Sequence, residues 1–190
     1  MPACEGGSGE QTVNSTVGKL DAGTLVRVWT RITARVVARG FGLEYGMLER
    51  PKLGIFDGLK ITIDPAVDFE MQCFLVLHLF GHSVQWVAPS YRPEIVGVSD
   101  QDLEVYLDAL EQYERNAARF GLQLLHEAGV TDLDPWYFDF AETDWKYVDT
   151  FYRTGTIPRW ETCVVRGAKP VDPLPIPTLE PRLVELRYAF

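Results

Sequence analysis

The sequence predicts a single α+β domain, in which helices enclose one short β-hairpin. Three observations carry this expectation. Apolar residues recur at spacings of three and four in several separate segments, the period of an amphipathic helix. One short stretch, LGIFDGLKITID at residues 53–64, changes to β-branched and aromatic residues around Asp57-Gly58, a dipeptide suited to a tight turn between two strands. Finally, 190 residues with 46% hydrophobic and 24% charged side chains suffice for one sizeable core.

In chain order, residues 1–20 are rich in Gly, Ser, Thr and acid and hold almost no large apolar side chain. Such a segment cannot offset the entropy of ordering, and it is expected to be a disordered leader. From Leu20 to Ala38 the set Leu25, Val28, Trp29, Ile32 and Val36 predicts a helix that Gly40 and Gly42 stop. The hairpin follows, Leu53–Phe56 with Leu59–Ile63. Asp64-Pro65 ends its second strand, and Asp68 is placed to cap a helix that runs to about Val87, before Pro89 and Pro93.

A long helix is expected next over DLEVYLDALEQYERNAARFGLQLLHEAG, capped by Ser99-Asp100 or Asp102 and ended by Gly129. A shorter one over Phe138–Arg153 packs through Phe140, Trp145, Val148, Phe151 and Tyr152. The domain is thus expected over residues 21–155. Beyond it, residues 156–190 are expected to form an extended arm, PPII-like where prolines crowd VDPLPIPTLEP.

Composition excludes several classes of function. A net charge of −9 and a pI near 4.8 offer no stripe of Lys and Arg for phosphate contacts, so nucleic acid is not expected as a partner. No apolar stretch approaches membrane-spanning length, and MPACEGGSGEQTVNST has no basic and apolar signal pattern, so neither membrane insertion nor secretion is signalled. The three cysteines, Cys4, Cys73 and Cys163, cannot all pair within the chain and show no CxxC spacing. A reduced, cytoplasmic setting follows.

The chemistry centres on FLVLHLFGHSVQW, residues 74–86, where His78 and His82 stand four positions apart in an apolar, helix-like run. One helical turn separates them, so both imidazoles project from one face and can meet a single metal ion. Gly81 beside the second histidine permits close approach of another element. Two buried, hydrogen-bonded histidines would give the same pattern without a metal. A zinc site needs a third protein ligand, and the helix that follows offers Glu111, Glu114 and His126. Glu114 sits on or beside the apolar face, where an unpartnered charge is costly; a surface ion pair with Arg115 or Arg119 is the alternative.

The order of elements resembles the ImmA/IrrE-type zinc metallopeptidases of the zincin group: helix, hairpin, a helix with LHLFGH (77–82), then a helix reading ERNAARFGLQLL (114–125). The likeness covers roughly residues 23–127. It implies a zincin-like core of packed helices with a small sheet, one Zn²⁺, and metal ligands at His78, His82 and Glu114. It also implies a glutamate after the first histidine as general base, and this chain has Leu79 there. An aliphatic side chain cannot take a proton from water. Gln85 and Ser83 lie nearby, but an amide is no base and a serine needs activation itself. An acid from elsewhere in the fold, such as Asp57 or Glu44, stays open.

The reading is therefore a zinc-binding protein with a metallopeptidase-like fold, inactive or divergent as a hydrolase, with a peptide or protein as partner. The competing reading is a metal-free protein–protein interaction module with an acidic surface and a Pro-rich arm. Trp136, Tyr137, Trp145, Tyr147 and Tyr152 are read as core packing rather than a ligand groove, Gln85 and Trp86 as the helix end beside a pocket, and Cys73 as a small buried hydrophobe.

Overall fold

Helix α2 (Phe69–Val87) is the element around which the others are arranged: from Glu70 to Val87 every residue except Trp86 is buried. The computed structural model describes residues 20–49 and 51–185 and is mixed α+β. In chain order, α1 (Ala22–Ala38) leads to β1 (Gly42–Tyr45), β2 (Gly54–Phe56) and β3 (Lys60–Ile63). After α2 come α3 (Leu103–Glu127), α4 (Asp134–Thr154) and the single turn α5 (Trp160–Cys163). The segment expected as a leader lies outside the described residues, apart from Leu20. No helix of the described chain is long and apolar enough to cross a membrane.

Local chemistry sets most of the element ends. The carboxylates of Asp21, Asp68 and Asp102 each accept a hydrogen bond from the backbone N–H three residues on, which starts α1, α2 and α3. Pro135 stands in the first turn of α4, where a missing N–H costs nothing, and this helix begins four residues before the expected Phe138. Gly155, with φ +65°, ends it in the left-handed conformation.

The sheet has the order β1-β3-β2. The hairpin β2–β3 is antiparallel, with Gly54 opposite Ile63 and Phe56 opposite Ile61. Its turn is one residue longer on the β3 side than the sequence suggests. The Asp57 carboxylate accepts the N–H groups of Leu59 and Lys60, while Gly58 takes φ +86°. Strand β1, which sequence reading left unassigned, pairs in parallel with β3 from Gly42–Lys60 to Tyr45–Ile63. Its exposed or half-buried GLEY has too few apolar residues to show a pattern.

Two registers place the site. Helices α2 and α3 pack antiparallel, and each turn forward along α2 is a turn back along α3. Leu77 lies at Gly121, Gly81 at Ala117, and the Gln85 amide donates to the Tyr113 carbonyl at 2.7 Å. A Cβ on Gly81 would collide with the Ala117 carbonyl, and one on Gly121 with the Tyr137 hydroxyl and the Leu77 carbonyl. Helix α4 docks in parallel on α2 by a second ladder of one-turn steps. Trp136 Nε1 donates to Glu70 at 3.0 Å, Phe140 stacks on Phe74 at 5.1 Å, and Asp144 meets His78.

Residues 164–185 hold no helix or strand and cross the helices as a strap. The Ala168 N–H donates to Asp139, the Leu174 N–H to the Arg119 carbonyl, and the Val184 N–H to the Asp57 carbonyl at the hairpin. Arg182 donates to the carbonyls of Trp86 and Val87, supplying the cation that the last turn of α2 lacks.

Gly81→Ala tests the α2–α3 crossing. Forcing a methyl group against backbone costs about 1–3 kcal/mol of stability, read as a lower urea midpoint; an unchanged midpoint contradicts the packing described.

Candidate metal centre

Burial on all sides of α2 means that a polar residue on it must find its partner inside the protein. His78 and His82, one turn apart, turn their Nε2 atoms to within 2.9 Å of each other. The antiparallel crossing brings Glu114 of α3 opposite them. Its Oε2 lies 3.1 Å from His82 Nε2 and 3.3 Å from His78 Nε2. All three side chains are buried, and their ligand atoms are close enough to hold a metal ion. A tetrahedral zinc with ligand bonds of about 2.0–2.1 Å separates its ligand atoms by roughly 3.3 Å. The three observed edges match that spacing with a small expansion.

The rings are held in place. Phe74 stacks on His78 at 5.4 Å, and Phe56 of the hairpin lies parallel to His82 at 6.0 Å. Gln85 fixes the chemistry of His82. Its amide N–H donates to the Tyr113 carbonyl, so its Oε1 faces His82 Nδ1, 2.9 Å away, and must accept a proton from it. With Nδ1 committed to Gln85, Nε2 is the His82 nitrogen that faces Glu114 and His78 and is left to bind an ion. Gln85 is thus an orienting partner of the site, not merely the end of a helix. The spacing of three after His82 is the only sequence signal of this role.

Charge in the site is mutually balanced. Burial alone pushes the Glu114 carboxyl up, but His82 and His78 outweigh it and hold the group ionised, well below the ordinary carboxylate range. For His78 burial opposes the charged form, yet the carboxylates of Asp144 and Glu114 outweigh it and raise its pKa. Asp144 is raised by burial and by the charge of Glu114, against the pull of His78.

The other candidates are occupied elsewhere. Glu111 pairs with Arg115 at 2.6 Å, and His126 meets Asp134 at 2.8 Å at the far end of α3. Arg115 reaches Glu111 and Glu142, while Arg119 binds Asn116 and the Asp172 carbonyl, so neither arginine neutralises Glu114. Leu79 is buried against Gly54 of the edge strand β2. Ser83 donates to the Leu79 carbonyl, Glu44 binds Lys60 and Thr62, and Asp57 caps the hairpin turn. Burial pushes the Cys73 thiol up to about 12, which leaves it unreactive.

The acid that does reach the site is Asp144, which sequence reading missed. Its Oδ2 lies 3.5 Å from His78 Nε2. It stands in the segment read as packing, and that segment divides. Tyr137, Phe138 and Phe140 belong to the core and Trp145 packs against it, while Phe138 and Trp145 also line a small cleft of about 30 Å³ that ends on His78, Glu114 and Asp144.

No family model, curated protein or solved structure matches this chain.

Two outcomes follow for metal binding. Gln85→Leu frees the His82 tautomer and lowers metal affinity by about 10- to 100-fold, measured by competition with a chelating dye; equal affinity contradicts the orienting role. A metal must also displace the proton that His78 holds above its ordinary value. Affinity should accordingly begin to fall, as pH is lowered, at a higher pH than an unperturbed histidine near 6.5 would give. A pH series of the same competition reads this directly.

Proposed function

We propose that this protein binds one zinc ion through His78 Nε2, His82 Nε2 and Glu114 Oε2, within an architecture of the ImmA/IrrE zincin type. The observation that carries the reading is the buried triangle of two imidazole nitrogens and one carboxylate oxygen, with edges of 2.9, 3.1 and 3.3 Å. Two imidazoles and a carboxylate suit zinc, while the absence of thiolate and of an oxygen-rich shell disfavours softer and harder cations. The order of helix, hairpin, histidine helix and glutamate helix supports the zincin resemblance.

Three protein ligands leave one position of a tetrahedral ion open, and the small cleft beside Phe138 and Trp145 ends at His78 and Glu114; a peptide or protein is the class of ligand the zincin resemblance implies. Leu79 removes the usual proton acceptor, so the protein is a metal binder that is either inactive or divergent as a hydrolase.

Metal analysis of protein purified without a histidine tag tests the proposal. The expected result is one zinc per chain, retained through gel filtration and lost in both His78→Ala and Glu114→Ala. Chelator should also lower the melting temperature of the wild type, because an ion that binds only the folded state stabilises it by about 4 kcal/mol at a thousand times its Kd. A metal-free wild type whose melting is indifferent to both zinc and chelator would falsify the reading.

A further inference from the structure

Asp144 is placed by the same ladder that docks α4 on α2. Glu70 with Trp136, Phe74 with Phe140 and His78 with Asp144 are three successive one-turn rungs, the first a hydrogen bond and the second a stack in the core. The third brings a carboxylate oxygen to 3.5 Å from His78 Nε2. That oxygen stands outside the tight group formed by His78, His82 and Glu114, so it does not complete a four-ligand shell. Among the described residues the Asp144 side chain makes no hydrogen bond, and it lines the cleft together with Phe138, Ala141 and Trp145, with Arg115, Glu142 and Lys169 in the same wall.

We propose that Asp144 faces the open coordination position, holds the solvent molecule there, and makes the site select uncharged carbonyl ligands over anions. This rests on the zinc reading of His78, His82 and Glu114. A carboxylate just outside the ligand shell reaches a bound solvent molecule by a hydrogen bond, as partners of metal-bound groups do elsewhere. It supplies from α4 the acid that Leu79 denies on α2. Charge balance gives the selectivity: the two carboxylates of Glu114 and Asp144 cancel the two charges of the ion. A phosphate or free carboxylate entering the fourth position would bring an unbalanced charge beside Asp144, whereas an amide or ester carbonyl would not. Phe138, Ala141, Trp145 and Val171 offer the same uncharged ligand apolar contacts; the cations of the wall are Arg115, which Glu111 and Glu142 already pair, and Lys169.

Cobalt-loaded full-length protein tests this, because the visible bands of the ion report a change at the open position. Azide serves as the anionic probe. Wild type is expected to bind azide weakly. Asp144→Asn should keep one cobalt per chain and bind azide at least about tenfold more tightly, since removing a charge a few ångströms away relieves the repulsion. Asp144→Glu, which restores the charge, should return azide affinity toward the wild-type value, a rescue that a purely structural role would not show. Equal azide affinity in the wild type and Asp144→Asn overturns the proposal. So does loss of cobalt in Asp144→Asn as complete as in His82→Ala, which would make Asp144 a direct ligand. Both of these results leave the three-residue site standing. A wild type that binds no cobalt or zinc removes the site and this proposal together.

Discussion

Everything at the centre depends on how closely α3 can lie on α2. With glycine at 81 and at 121, backbone meets backbone at two points one helical turn apart, Gly81 on Ala117 and Gly121 on Leu77. Glu114 stands one turn from Ala117, and that is why its carboxylate arrives between two imidazoles rather than in solvent. A helix pair held apart by ordinary side chains sits about 8–10 Å between axes, and the small residues here allow a tighter approach. The geometry of the candidate metal centre is thus a consequence of core packing.

The buried polar groups form connected chains rather than isolated pairs. Tyr113 orients Gln85, Gln85 orients His82, and His82 and His78 together hold Glu114 ionised. In the same way Glu70, Trp136, Phe74 and Phe140 align α4 so that Asp144 reaches His78. Such networks are stabilising only when each member is satisfied, because an unpaired buried group costs more than a hydrogen bond contributes. Among the described residues three buried side-chain atoms lack a hydrogen-bond partner, His78 Nδ1, Glu94 Oε2 and Trp160 Nε1, and only the first belongs to the cluster.

The parts of this design that were legible in the sequence are those written in local spacing. Asp68 and Asp102 announce the starts of their helices, Asp57-Gly58 announces the hairpin, and His78 and His82 share a face by periodicity alone. Glu114 was legible for a physical reason too: a charge on an apolar helix face needs a partner. What stayed hidden depends on distant register. Strand β1 has no pattern of its own and exists through its pairing with β3. Asp144 is one acid among many on α4 until the offset between α2 and α4 is known. Gln85 looked like a helix end because the carbonyl that orients it comes from Tyr113, across the crossing.

On the proposed reading, two imidazoles and one carboxylate from α2 and α3 hold a single ion with one position open to the cleft. X-ray absorption spectroscopy at the zinc edge of the loaded, untagged protein addresses it most directly. The account predicts a first shell of nitrogen and oxygen only, at about 2.0–2.1 Å, with imidazole outer-shell scattering that corresponds to two histidines. A sulfur shell at about 2.3 Å, or scattering from no histidine or only one, would contradict it.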